Sequence, residues 1–165
     1  MEIKESTRKY ILIGLVLLIV IGLFTAKVLG KQQDEEFAMD DVLYEQVSQL
    51  YSEGKYEEAA QYSTELLQRQ PDSEAVNYIG GLVAANTNEY EQASILLQKT
   101  LELNPHKVDD AVFMLQFGEV LYGAERYADA YTVLDRCRYW EWAPEEIPNY
   151  QERVAQLLIE IKPKL

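Results

Sequence analysis

The sequence predicts an all-α protein: an N-terminal transmembrane helix followed by a short right-handed α-solenoid of three helix-turn-helix repeats and a C-terminal capping helix. Three observations carry that expectation. Residues 10–29 form an apolar run of bilayer length, one local phrase recurs at a near-constant interval between residues 40 and 140, and residues 145–162 carry a single apolar stripe at helical spacing. These features divide the chain into a short flank (1–9), the span (10–29), an acidic connector (30–40), the repeats (41–144) and the cap with its tail (145–165).

The span reads YILIGLVLLIVIGLFTA from Tyr10 to Ala26, without a charge, and Lys27, Val28 and Leu29 extend it to twenty residues. At ~1.5 Å per residue a helix of that length crosses about 30 Å of hydrocarbon. In lipid every backbone donor and acceptor must be paired internally, which a single span achieves only as a helix. A cleaved signal peptide needs small residues at both the −3 and −1 positions, and Phe24 before Ala26 opposes it. A buried core helix is the remaining alternative. Lys4, Arg8 and Lys9 precede the run and Lys27 and Lys31 follow it, so the positive-inside rule favours a cytoplasmic N-terminus in a cytoplasmic membrane, with the repeats outside. Residues 30–40 are polar and acidic, readable as a connector or as a continuation of the span helix. From residue 32 onward 10 basic residues face 26 acidic ones, a charge of −16 that anionic headgroups would repel.

Beyond the connector, GKYEEAAQYSTELLQRQP, NEYEQASILLQKTLELNP and ERYADAYTVLDRCRYWEW share one pattern. The aligned Tyr56, Tyr90 and Tyr127 and the aligned Ala59, Ala93 and Ala130 are spaced by 34 and then 37 residues, and Pro71 and Pro105 are again 34 apart. This period and pattern resemble the tetratricopeptide repeat (TPR) family, of the N-terminally membrane-anchored kind, over residues 40 to about 144. The resemblance implies a helix A with a small residue where helix B packs close: Gly81 and Gly118 hold that place, while Val47 departs from it in the first repeat. Gly54 and Asn88 suit the left-handed turn between helices; Ala124-Glu125 fits less well. Helix B then runs from the Tyr, through the Ala, to a stop before the proline. The third repeat is irregular at both ends, as terminal repeats often are. In the cap, Ile147, Tyr150, Val154, Leu157, Leu158 and Ile161 form the buried stripe.

The formal charge is −13, with no basic stripe, so no nucleic-acid partner is expected. A single Cys137 and a single His106 exclude an intrachain disulfide framework and an all-Cys/His zinc site. No glycine-rich phosphate loop is present, and Gly80-Gly81 lies within a helix pattern. His106 reads as a solvated loop residue and Cys137 as an inward-facing small hydrophobe. The carboxylate pairs Asp40-Asp41, Glu57-Glu58, Asp109-Asp110 and Glu145-Glu146 match no EF-hand spacing and suit helix starts. The expectation is a protein that is not an enzyme and has no catalytic, cofactor-binding or metal-binding residues and no cofactor.

What the resemblance implies instead is a concave surface lined by helix A side chains that binds protein or peptide segments. Repeat register assigns to it Tyr44, Ser48 and Tyr51 in repeat one, Tyr78, Leu82 and Ala85 in repeat two, and Leu115, Glu119 and Tyr122 in repeat three. Tyrosine-lined grooves suit protein docking, although the same tyrosines could complete packing between repeats. The Lys and Asn of a carboxylate-gripping groove are absent, and Glu119 in an acidic domain favours neutral or basic partner segments. Tyr139, Trp140 and Trp142 form a second aromatic patch, expected to anchor the cap onto repeat three. The leading reading is a membrane-anchored scaffold or adaptor in a cell-envelope or membrane complex. The alternatives are a cytosol-facing receptor and a structural spacer or self-associating subunit, as a homo-oligomer or with the groove filled by the chain's own C-terminal helix.

Overall fold

A computed structural model describes residues 5–165, with side chains of residues 14–19, 21–23, 25 and 27 and from residue 37 onward. The chain divides into two compact units, Met1–Val42 and Leu43–Leu165. Helix α1 spans Glu5–Ser52 and so carries most of the first unit and the beginning of the second. Residues 30–40 are helical, so the expected connector continues the backbone helix of the apolar run rather than forming a loop.

In the first unit, Leu15, Val16, Leu17, Leu18, Ile19, Ile21 and Leu23 are all exposed, on every side of the helix. Among the described residues no helix is long and apolar enough to cross a membrane. The span expected over 10–29 falls partly on side chains outside the described residues, as do the flanking charges Lys4, Arg8, Lys9 and Lys31 and the acidic run Asp34 to Glu36.

The second unit is a run of helix pairs. The last part of α1 is followed by α2 (Tyr56–Arg69), α3 (Glu74–Asn86), α4 (Tyr90–Leu103), a 3₁₀ turn (Pro105–Asp109), α5 (Ala111–Gly123), α6 (Tyr127–Tyr139), α7 (Tyr150–Ile161) and a 3₁₀ turn (Lys162–Lys164). From α2 to α7 successive helices pack on each other, Leu43 and Val47 of α1 share a core cluster with Ala59 and Leu66 of α2, and α7 lies against both α6 and α5. Local chemistry sets the ends. Ser73 Oγ accepts from the Val76 N–H at 3.4 Å and Asp110 Oδ1 from the Phe113 N–H at 3.0 Å, capping α3 and α5. Helices α2 and α4 stop just before Pro71 and Pro105, which cannot continue them. The buried Asn77 ties down the first of these stops by donating to the Pro71 carbonyl at 2.8 Å and the Ser73 carbonyl at 2.7 Å.

Repeat register organises the core. Ala59, Ala93 and Ala130 are fully buried, each at the same place on a helix B. Gly81 and Gly118 let α4 and α6 approach: a Cβ on Gly81 would stand 2.7 Å from Leu97 Cδ2, and one on Gly118 2.6 Å from Leu134 Cδ2. At the register of those two leucines repeat one has Ser63, the smaller residue, where helix A has the larger Val47. Both Val47 and Ser63 are buried. The departure at Val47 is thus a redistribution of volume across the helix pair, which close packing requires.

The turn between helices A and B is one structure used three times. Gly54 has φ +74°, Asn88 +64° and Glu125 +60°. Glu125, the ill-fitting residue of the third repeat, therefore takes the left-handed conformation despite its Cβ, at a cost of roughly 1–2 kcal/mol.

The C-terminal part differs from expectation in two ways. The capping helix begins at Tyr150 rather than 145: Pro148 stands before it, and residues 145–149 form turns in which the Ile147 N–H bonds the Pro144 carbonyl at 3.1 Å and the Tyr150 N–H the Ile147 carbonyl at 3.0 Å. The stripe Tyr150, Val154, Leu157, Leu158 and Ile161 is buried, with Ile147 partly so. Of the aromatic run, only Trp142 packs against the core; Tyr139 and Trp140 are exposed, with rings 5.8 Å apart and nearly perpendicular. The reason is local. Glu141, at φ +50°, reverses the chain after α6, and Gln151 Nε2 pins the reversal by donating to the Trp142 carbonyl at 2.8 Å and the Cys137 carbonyl at 3.1 Å.

Candidate functional site

Helices α1, α3, α5 and α7 of the second unit line a cleft of about 460 Å³. Its walls include Tyr51 from α1; Leu82, Ala85 and Asn86 from α3; Gln116, Glu119, Tyr122 and Gly123 from α5; and Arg153 and Leu157 from α7, with Tyr90 at the head of α4. Of the nine groove residues assigned by register, Tyr51, Leu82, Ala85, Glu119 and Tyr122 meet here. Tyr44, Ser48 and Tyr78 are half-buried outside the cleft lining. Leu115 is not a groove residue: it is 3% exposed, in the core cluster that holds Val154 and Leu158 of α7. The cap lies against α5 and takes that position out of solvent.

Tyr78 bridges repeats. Its hydroxyl donates to Gln116 Oε1 at 2.6 Å, its ring lies 5.6 Å from that of Phe113, and Lys107 Nζ sits 5.0 Å from its centroid. Burial foremost, and the Asp110 carboxylate next, push the phenol up to about 12. Lys107 also pairs with Asp110 at 3.0 Å and reaches Glu74 at 3.8 Å, joining α3 to α5.

The charge lining of the cleft is balanced. Arg153 Nε donates to Glu119 Oε1 at 2.6 Å, so the carboxylate expected to make the groove acidic is neutralised from the cap. Lys164 Nζ lies 3.4 Å from the Tyr122 hydroxyl and 3.2 Å from that of Tyr127, 4.8 Å and 4.5 Å from the two ring centroids. Asn86 Nδ2 donates to the Leu82 carbonyl at 2.8 Å and to Tyr51 Oη at 3.5 Å. The cleft therefore offers aromatic and aliphatic walls, two side-chain amides and an internally compensated ion pair. Sequence register alone missed Asn86, Gln116, Tyr90 and Arg153. For the first three the signal was present, one residue along the helix or at its head; for Arg153 it lay on the cap, outside the repeat.

Nothing in this lining resembles a nucleophile with its base. Among the described residues no group of three or more His, Cys, Asp or Glu could hold a metal ion. Cys137 is fully buried, and burial raises its thiol above the usual range. His106 is exposed in the 3₁₀ turn.

Residues 50–116 match the family model of the tetratricopeptide repeat. The helix pairs have a TPR-like fold. The TPR fold is shared with several solved structures. One is the type III secretion chaperone SycD of Yersinia enterocolitica in complex with a peptide of the translocator YopD, at 20% identity and a TM-score of 0.59, covering 75% of this chain and 92% of that one. Another is the TPR2B domain of yeast Sti1 in a complex with pHsp70, at 16% identity and 0.58, covering 76% and 98%. A third is the first TPR domain of human RPAP3, at 17% identity and 0.59, covering 77% and 98%. No curated protein matches this sequence.

Proposed function

We propose that this protein is a membrane-anchored TPR scaffold that binds a segment of a partner protein in the cleft between α1, α3, α5 and α7, and that it catalyses no reaction. The observation that carries the reading is the cleft itself: a concavity of about 460 Å³ walled by Tyr51, Leu82, Ala85 and Tyr122, with the amides of Asn86 and Gln116 beside them. Apolar walls with a few placed polar groups are the usual makeup of a recognition site, and tyrosines are favoured where proteins dock. Peptide complexes of other TPR proteins, such as that of SycD with a YopD peptide, support the same use of the fold.

The partner segment is neutral where it enters the cleft, since Glu119 and Arg153 already satisfy each other, and basic at its flanks, where the −16 of residues 32–165 steers encounter. The apolar run 10–29 anchors the chain in a cytoplasmic membrane with the repeats outside. Its support is the unbroken helix and the exposure of Leu15 to Ile19, Ile21 and Leu23 on all sides, a surface that water does not favour and lipid does.

The test is in-cell crosslinking through a photoreactive residue at Leu82, with protease accessibility of intact cells measured on the same sample. Discrete heterologous products that vanish with Tyr51→Ala and Tyr122→Ala, in a chain that still melts cooperatively, are the expected result. Self-products alone would sink the scaffold reading in favour of a structural spacer. Protection of residues 43–165 in intact cells would reverse the orientation, and release of the chain by carbonate washing would remove the anchor.

A further inference from the structure

The two end repeats carry the same tyrosine pair. Tyr51 and Tyr56 flank the first A–B turn with ring centroids 5.5 Å apart and planes at 59°; Tyr122 and Tyr127 flank the third at 5.8 Å and 62°. In repeat two Ala85 stands at the first of these positions, so no pair forms. The third-repeat pair is occupied. Lys164 Nζ lies 4.8 Å from the Tyr122 centroid and 4.5 Å from that of Tyr127, and within 3.4 Å of both hydroxyls. The ammonium thus meets two acceptor oxygens at once and lies within the range at which the two rings attract a cation.

The first-repeat pair has the same geometry and, among the described residues, no cation over it. Its nearest lysine in sequence, Lys55, is engaged elsewhere, 2.7 Å from Glu53. Both tyrosines are half-buried and Tyr51 lines the cleft. We infer that Tyr51 and Tyr56 form a cradle for a cationic side chain of the partner segment, the counterpart of the cradle that Lys164 fills from within the chain. The occupant is a lysine or arginine entering beside the cleft, which agrees with the acidic charge of the domain. The inference rests on the cleft being the partner site and names one side chain the partner must bring.

The test uses the full chain in neutral detergent, labelled with fluorotyrosine and assigned by single Tyr→Phe variants. The probes are a short capped peptide of alternating Ala and Leu with one central lysine and the same peptide with norleucine there. The lysine peptide should displace the Tyr51 and Tyr56 resonances and bind about two- to fivefold tighter than its norleucine twin, the range a partly exposed cation–π contact supports. In Tyr51→Leu with Tyr56→Leu that ratio should fall to unity. In Lys164→Met the lysine peptide should displace Tyr122 and Tyr127 as well, because the second cradle is then vacant. If both peptides displace Tyr90 and Tyr122 alike and spare the Tyr51–Tyr56 pair, the cleft reading stands and the cradle is refuted. If millimolar peptide of either kind moves no cleft tyrosine, both fall together.

Discussion

Gly81 sits against Leu97 so closely that no β-carbon fits between them: the nearest leucine atom would be 2.7 Å away. Leu97 is fully buried, and the same relationship recurs between Gly118 and Leu134. Overpacking a close-packed core costs about 1–3 kcal/mol, so Gly81→Val should destabilise by that amount in chemical denaturation. Combined with Leu97→Ser it should lose less than the sum of the two single changes, by at least about 0.5 kcal/mol, because the pair then reproduces the Val47 and Ser63 solution of repeat one. Strict additivity would show that the register argument for Val47 is mistaken.

Glu125 has φ +60° at the position where repeat one has Gly54. Glycine removes the Cβ strain but enlarges the entropy of the unfolded chain, so Glu125→Gly should stabilise by up to about 1 kcal/mol. A rise in the denaturation midpoint without a change in slope is the expected signature; a fall would mean that the Glu125 side chain contributes more than its backbone costs.

Asn77 is 1% exposed and supplies the side-chain donor to the Pro71 carbonyl. Asn77→Ala leaves that acceptor without its partner and should cost about 1–3 kcal/mol. Hydrogen exchange should quicken first at the α2–α3 connection; an unchanged midpoint would mean that water replaces the amide at no cost.

Tyr78 is held neutral by burial and by Asp110, which push its phenol from the ordinary 10.0 up to about 12. Between those values the unfolded chain has lost a proton that the folded one retains, so stability is intact below about pH 10 and falls as pH rises toward 12. The slope of that fall, followed by circular dichroism in urea, should be shallower in Tyr78→Phe. An identical alkaline slope in the variant would assign the effect to other groups.

Much of the fold was legible because periodicity is a property of the chain itself. The 34-residue recurrence of Tyr56, Ala59 and Pro71 located the helix pairs and their stops, since each residue acts locally: an alanine to admit a neighbour, a proline to end a helix. Even the third turn was placed, although Glu125 disguises it. The same register brings Tyr51, Leu82, Ala85, Glu119 and Tyr122 to one cleft.

What only the tertiary structure decided depends on the cap, whose docking no repeat period encodes. Helix α7 buries Leu115, brings Arg153 to neutralise Glu119 and leads to the turn whose Lys164 fills the Tyr122–Tyr127 cradle. Glu141 and Gln151 turn Trp142 inward and leave Tyr139 and Trp140 outside. Local signals specify elements because neighbouring residues share one backbone. Side chains more than thirty residues apart, as Glu119 and Arg153 are, meet only once packing has chosen which faces touch.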